Sequence, residues 1–356
     1  MDLNSDFPQH LTAAFDGLYT MAYFGEDLRP YWNKNGEKTI ENLYKEAEKE
    51  YKEVMAKCYE FDRQLMADAY LVGGKEYAEL CALAYRQSVS AFQMSESSDG
   101  ELLYFTPQVE PVDEYYPASP LYLRYNPKLV EAMLNPFFYY SENGKWGKSY
   151  PVHDLGGYPI VNGQTVGGDM PIEEAGNALI MTAAIAKMEK NASYAEKHWE
   201  TLTHWAEYYM DAACEMIKEW EESAYAGDHY RLAFDQPDSW GMKYNLIWDR
   251  LLDLNLFPER IIQKEMDFYL TKMNELGCPL DSRHSYTKTD WMVWTGSLST
   301  DSTTFRKFIL PLHKFMNETK DRVPMADLIN TDQSKVIDFR GRSVVGGCFI
   351  RLLEQN

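Results

Sequence analysis

Carboxylates set beside aromatic and basic side chains are the chemistry this sequence offers. They gather in His153-Asp154-Leu-Gly-Gly-Tyr158, in Met170-Pro-Ile-Glu173-Glu174-Ala-Gly-Asn177, in Asp228-His229-Tyr230, in Asp235 to Trp240, and from Asp281-Ser-Arg283-His284 to Lys288-Thr-Asp290-Trp291. Paired acids in such company can have their proton affinities driven apart, so that one gives a proton and the other takes one. Asp154, Glu173, Glu174 and Asp290 are the candidates for that chemistry. His153, Tyr158, Asn177, His229, Trp240, Lys243, Asp281, Arg283, Lys288 and Trp291 are the candidates for holding a polar, hydroxylated or amide substrate. Adjacent helical residues point about 100° apart, so only one of Glu173 and Glu174 is expected to face a given pocket. The competing reading is that these side chains cap helices and fasten loops. Arg283 and Lys288 could neutralise Asp281 and Asp290 in the same way, as a buried network.

The elements that must position these residues read as helical hairpins. Apolar residues fall at Ile40, Leu43, Tyr44, Ala47, Tyr51, Val54, Met55, Cys58, Phe61 and Leu65, an amphipathic helix that Gly73-Gly74 should stop. A second helix follows from about Lys75 to Met94, and the two should fold back on each other. The stretch from 99 to 170 is rich in Pro, Gly and Tyr and reads as pocket-forming loop, with one short helical pattern from Pro127 to Leu134. Pro171 opens a helix with Glu173 and Glu174 in its first turn, which suits the positive end of a helix dipole. Ser193-Tyr-Ala-Glu196 has the form of a capping box, and the helix it opens meets no breaker before Gly227. Such a helix would run ~45 Å, well beyond its neighbours. Residues 229–234 read as a short strand, and further helices are expected at about 241–254, 258–276, 303–319 and 344–353. No βαβ rhythm is present.

Composition narrows the function. The 356 residues carry 55 acidic and 35 basic side chains, a formal charge of -20 that would repel nucleic acid. No window approaches the roughly 20 apolar residues of a membrane helix, and the start MDLNSDFPQHL has no export signal, so a cytoplasmic protein is expected from the chain as given; a secreted or periplasmic one is expected if it is cut from a longer protein. Cys58, Cys81, Cys214, Cys278 and Cys348 are odd in number and never spaced C-x-x-C, which fits small buried residues better than disulfides or zinc. Asn191-Ala-Ser193 and Asn317-Glu-Thr319 match the glycosylation triplet without deciding a compartment. Signatures of P-loops, zinc proteases, α/β-hydrolases and dinucleotide folds are missing. Nothing in the spacing asks for a cofactor or a metal ion. Gly346-Gly347-Cys348 reads as close packing between a loop and the last helix.

Taken in order, several motifs resemble the six-helical-hairpin domain of the glutaminase A family. They include Leu83-Ala-Tyr-Arg-Gln87, Tyr116-Pro-Ala-Ser-Pro120, His153-Asp-Leu-Gly156, Met170-Pro-Ile-Glu-Glu174 with Gly176-Asn177, Gly227-Asp-His-Tyr230, Lys243-Tyr-Asn245 with Trp248-Asp249, Pro279-Leu-Asp281 with Arg283, Lys288 with Asp290-Trp291, and Arg342 with Val344-Val-Gly-Gly347. The resemblance implies an all-α, (α/α)6 toroid of inner and outer helices with short β-strands in the loops, one domain over residues 1–356. It also implies hydrolysis of L-glutamine to glutamate and ammonia, with His229, Arg283 or Lys288 as donors to the oxyanion. The fold is shared with glycoside hydrolases, so a glycosidic reaction by the same acids is the alternative.

Two departures from the family pattern stand out. A counterpart of the β-sandwich that usually precedes the hairpins is not expected from the residues as given. Between Trp205-Ala-Glu-Tyr208 and Gly227-Asp-His-Tyr230 the family has a longer segment with a T-D-D-F loop and a further helix. The overlong helix is therefore expected to carry the join of an internal deletion near 208–213, leaving the ring short by about one hairpin. A lost carboxylate would turn the domain into a catalytically impaired binder of a sugar or amino acid. Apolar faces exposed at the gap would invite a homodimer.

Overall fold

The computed structural model describes residues 11–106, 111–321 and 324–355, apart from the side chains at 209, 211–215 and 218. The opening residues read for an export signal and the side chain of Cys214 lie outside that set.

The chain begins with a hairpin of β1 (Met21–Tyr23) and β2 (Glu26–Leu28) and then enters α1 (Ile40–Ser90). Thr39 accepts a bond from the Asn42 N–H while the Asn42 side chain accepts one from the Thr39 N–H, a reciprocal cap. Gly74, at φ 81 and ψ -173, breaks α1 into two helices. A straight helix would hold Phe61 and Tyr85 about 36 Å apart. Their rings instead lie 4.9 Å apart, so the chain turns back at Gly73-Gly74 as expected.

β3 (Gln93–Glu96) and β4 (Leu102–Phe105) form a two-stranded ribbon, followed by α2 (Val112–Tyr125) and α3 (Pro127–Glu142). Here the loop expectation for 99–170 fails over Val112–Tyr125, while the short helix expected from Pro127 to Leu134 forms and runs on to Glu142. Pro117 and Pro120 sit inside α2, where each removes a backbone donor. The hydroxyl of Ser119 donates to the Tyr116 carbonyl at 2.8 Å, supplying the donor that Pro120 lacks. Burial supplies the rest, since Glu114 to Leu123 are all buried.

After α3 the chain is non-helical over 143–170, where β5 (Gly156–Gly157) and β6 (Ile160–Val161) turn back on each other. β6 also pairs in parallel with β1, tying this loop to the first hairpin.

α4 (Pro171–Glu189) starts at the proline expected of it. The capping box at Ser193 does not form. The short α5 (Ser193–Lys197) ends at His198, whose ring stacks on Phe138 at 3.9 Å, and only then does α6 (Trp199–Ala224) run for 26 residues, about 39 Å. Its backbone passes through 208–213 without a break. The strand expected at 229–234 is absent. Ser239 closes that segment into a loop instead, its hydroxyl accepting from the Ala233 N–H at 3.0 Å.

A 3-10 turn at Tyr244–Leu246 leads into α7 (Ile247–Leu251), shorter than the expected helix, and α8 (Glu259–Thr271) follows. β7 (Tyr286–Lys288) runs directly into α9 (Thr289–Ser297), a helix the sequence reading leaves as loop. α10 (Ser302–Glu318), β8 (Ala326–Asn330) and β9 (Val336–Arg340) complete the outer elements, with sheet order β7-β8-β9. Among the described residues no helix is long and apolar enough to cross a membrane.

The last segment, a 3-10 helix over Ser343–Gln355, is the central pillar. It packs against α1, α2 and α9 and is buried from Ser343 to Leu353. Tyr77 donates to the Cys348 carbonyl at 2.7 Å, and the Trp294 indole donates to the Gly347 carbonyl at 2.9 Å. Cys81, Cys278 and Cys348 are buried as expected, but Cys58 is exposed on the outer face of α1.

Gly346 and Gly347 approach the α2 backbone so closely that a Cβ would fall 2.6 Å from the Ala118 carbonyl oxygen or 2.7 Å from that of Pro117. Backbone atoms cannot step aside as a side-chain tip can. Gly347→Ala is accordingly expected to cost about 3 kcal/mol or more, read as a lowered midpoint in chemical denaturation, whereas Gly167→Ala, with open space around it, should leave the midpoint nearly unchanged.

Candidate functional site

Three helices begin beside one another with acids in their first turns. α2 offers Asp113 and Glu114, α4 offers Glu173 and Glu174, and α9 offers Asp290 just after Lys288. The orphan N–H groups of a helix start favour negative charge, which explains the preference for acids at these positions. α2 packs on α4 and on the final 3-10 helix, and α9 packs on the same 3-10 helix, so these starts are drawn together by the core.

Asp113, His153 and Glu174 converge most tightly. A carboxylate oxygen from each acid and a ring nitrogen of the histidine lie within 4.8 Å of one another. Glu174 is fully buried and neither of its oxygens has a hydrogen-bond partner; the Asp113 N–H lies near enough to ease its charge without bonding it. Burial, then the charges of Asp113 and Glu173, push its carboxyl up to about 10, so at neutral pH it holds its proton. Glu173, one step round the helix, is exposed. The wall beside it and the charge of Asp113 still hold its carboxyl above the ordinary range. Asp113, half-buried, is raised by burial, with His153, Arg342 and Lys288 opposing.

Asp154 goes the other way. Burial alone would raise its carboxyl, but hydrogen bonds outweigh that and hold it below the ordinary range. One oxygen accepts from the N–H of Gly156 at 3.0 Å, the N–H of Thr165 at 2.9 Å and the Thr165 hydroxyl at 2.8 Å. The other accepts from the Val166 N–H at 3.1 Å and sits 3.1 Å from His153 Nδ1. This carboxylate fastens the 153–166 loop and holds the histidine ring. Tyr158 stands exposed at the tip of the same loop, and Asn177 is buried one turn along α4 from Glu174.

Lys288 carries the positive charge of the site. Its Nζ is 3.1 Å from Asp327 and 3.8 Å from Asp290, and although burial works against the charge, those acids keep it protonated. Asp290 is fully buried and pushed up to about 7 by that burial, with Lys288 opposing and Asp327 adding. It serves to hold Lys288. Lys288 also lies over the Trp291 ring at 4.3 Å, and Tyr244 stacks on that ring at 4.1 Å and 9°. Lys288 and Tyr244 thus both pack on Trp291, which stays partly exposed. The fields of Lys288, Glu173, Asp290 and Asp113 all reach Tyr244, which joins the two halves of the site.

The remaining candidates turn to other partners. Lys243 donates to the carbonyls of Tyr230 at 2.9 Å and Gly241 at 2.8 Å and pairs with buried Glu265. His229 stacks on Phe268 at 4.3 Å and bonds exposed Asp228, while Trp240 packs edge-on against Phe268. Asp281 takes Arg283 in a two-pronged pair. Together they fasten the 226–243 loop to α8 and to the 281–284 turn. The sequence reading missed Asp113, Tyr244, Asp327 and the pair of Arg342 with Glu114. Asp113 had a signal, an acid two residues after Pro111, but the two prolines downstream disguised the helix.

A cavity of about 1100 Å³ opens elsewhere, between the end of α6 and α8, lined by Glu221, Tyr225, Asp228, Arg260, Lys264 and their neighbours. None of the four expected catalytic carboxylates lines it. Its acids are solvated or paired, as Glu221 is with Arg260, and have little chemical tension to release. The Asp113–Glu174 cluster, with uncompensated buried carboxyls, is the stronger candidate.

Comparison with known proteins agrees with the motifs. Residues 74–213 and 208–352 match the glutaminase A six helical-hairpin domain, and the chain belongs to that family. Residues 2–68 match a domain of unknown function, so the two family models meet near the Gly73-Gly74 turn inside α1. Glutaminase A of Aspergillus oryzae is 27% identical over 372 residues, taking in 85% of this chain and 54% of the fungal protein. A probable glutaminase of Arthroderma benhamiae is 23% identical over 442 residues, 82% of this chain and 51% of that one. The chain thus spans about half the length of the curated relatives it matches.

The Asp154 carboxylate lies below its ordinary range in the folded state, so its contribution to stability is complete above that range and is lost as the pH falls through the depressed value. Asp154→Ala should cost about 3 kcal/mol at pH 7, and the gap from wild type should narrow in acid. Denaturant titrations at a series of pH values, with limited proteolysis at 155–169, check both.

Proposed function

We propose that this chain is a hydrolase of small polar amides, with the side-chain amide of L-glutamine as the first substrate to test and the Asp113, His153, Glu173 and Glu174 cluster as its reaction centre. The observation that carries the reading is the fully buried Glu174 carboxyl, unbonded, set beside Asp113 and an oriented histidine. Family membership and the names of the two fungal relatives support it.

The chemistry follows from placement. Glu173, at the exposed edge, takes a proton from the attacking water, whose oxygen bonds the amide carbon. Glu174 gives its proton to the departing nitrogen as the C–N bond breaks and ammonia leaves. Lys288, kept charged by Asp290 and Asp327, lends its field to the developing oxyanion.

The helices are read as an (α/α)6 toroid short of about one hairpin. Three observations support that reading: the two family matches overlap at 208–213, both alignments are longer than this 356-residue chain, and α6 crosses the overlap as one long helix.

Ammonia release from glutamine should fall 100-fold or more in Glu174→Gln, with thermal stability kept, and stay unchanged in the surface variant Glu41→Gln. Reducing sugar released from a glycoside panel, with glutamine inert, would replace the amide reading by the glycosidic one. A ligand-induced rise in Tm without turnover of any substrate would replace it by a binding protein.

A further inference from the structure

We propose that Asp113, His153 and Glu174 form a binding site for one divalent transition-metal cation. The three offer two carboxylate oxygens and one imidazole nitrogen within 4.8 Å of one another, and they come from the starts of two packed helices and from a loop fastened between them.

The independent sign of a ligand is Glu174. It is fully buried, its oxygens approach Asp113 and His153, and neither has a hydrogen-bond partner. One oxygen of Asp113 is likewise without a partner. A buried carboxylate needs a proton or a cation, and side-chain cations do not supply one here. Arg342 is held by Glu114, and Lys288 by Asp327 and Asp290. The charges that act on Glu174 are those of other carboxylates, Asp113, Glu173 and Asp154.

The histidine is set up for the purpose. Its Nδ1 is fixed by Asp154 at 3.1 Å, and that carboxylate is itself pinned by the loop N–H groups. A carboxylate behind a histidine, fixing its tautomer and ring orientation, is the usual second layer of a metal site. Mixed oxygen and imidazole donors suit zinc, manganese or iron(II) better than magnesium or calcium. Zinc bonds of roughly 2.0–2.1 Å would draw the ligand atoms closer than their present span, a movement of about an ångström shared among three side chains, and three protein ligands leave a fourth position open to water.

The assignment shares residues with the proposed hydrolytic centre but does not depend on that activity. The same carboxyl cannot hold a proton and a cation together, so a loaded site and a proton-donating Glu174 exclude each other.

Calorimetry and thermal shift on chelator-treated protein, titrated with zinc, manganese or magnesium chloride, test the site. One zinc or manganese ion per chain should bind and raise Tm, with magnesium inert. His153→Ala and Asp113→Asn should each weaken binding at least tenfold, Glu174→Gln should do the same, and His229→Ala, which alters the other histidine beside an aspartate, should bind as wild type. Absence of saturable binding, or wild-type affinity in both His153→Ala and Asp113→Asn, overturns the proposal. Wild-type protein that binds the ion but releases no ammonia from glutamine, with or without it, would count against the hydrolytic reading alone.

Discussion

The structure depends on the contact of two glycines with one helix. Gly346 and Gly347 bring the final 3-10 helix within backbone contact of α2 at Pro117 and Ala118, and Gly347 also crowds Asp290 Cβ and the Trp294 indole. Any side chain at these positions would push the pillar away from α2 and α9. Because Asp113 begins α2 and Asp290 begins α9, that displacement would carry the acids with it. The distance between the helix starts is therefore set by atoms that have no role in chemistry, deep in the core.

The acids then take opposite states from their surroundings. Asp154 and Glu174 are both buried, yet one is bonded by three N–H groups and a hydroxyl while the other has no bond at all. Desolvation acts on both, and hydrogen bonding decides the outcome. Lys288 shows the same competition in reverse, with two carboxylates preserving a charge that burial alone would remove. A cluster of this kind is expensive to fold and is what a reactive site requires.

Part of this was legible in the residues. The Gly73-Gly74 turn, the proline at the start of α4 and the close packing at Gly346-Gly347 all rest on local rules of backbone freedom and helix geometry. The misreadings share a cause. Pro117 and Pro120 argue for loop locally, but Ser119 and a buried setting keep α2 helical. His198 breaks the helix that Ser193 was expected to open because its ring finds Phe138, sixty residues earlier. Lys243, Asp281, Arg283 and His229 are of the types a substrate site needs, and only the tertiary structure shows the partners they take.

By itself, then, the sequence determined the family, the helical hairpins and the pool of acids, since these follow from composition, periodicity and motif order. Tertiary structure alone decided which acids meet, which are bonded and which hold a proton. The physical reason is range. Helix starts and glycine turns are set by neighbours within a few residues, whereas the state of a buried carboxyl is set by whatever the fold brings within a few ångströms, from positions as far apart in the chain as Asp113, His153 and Glu174.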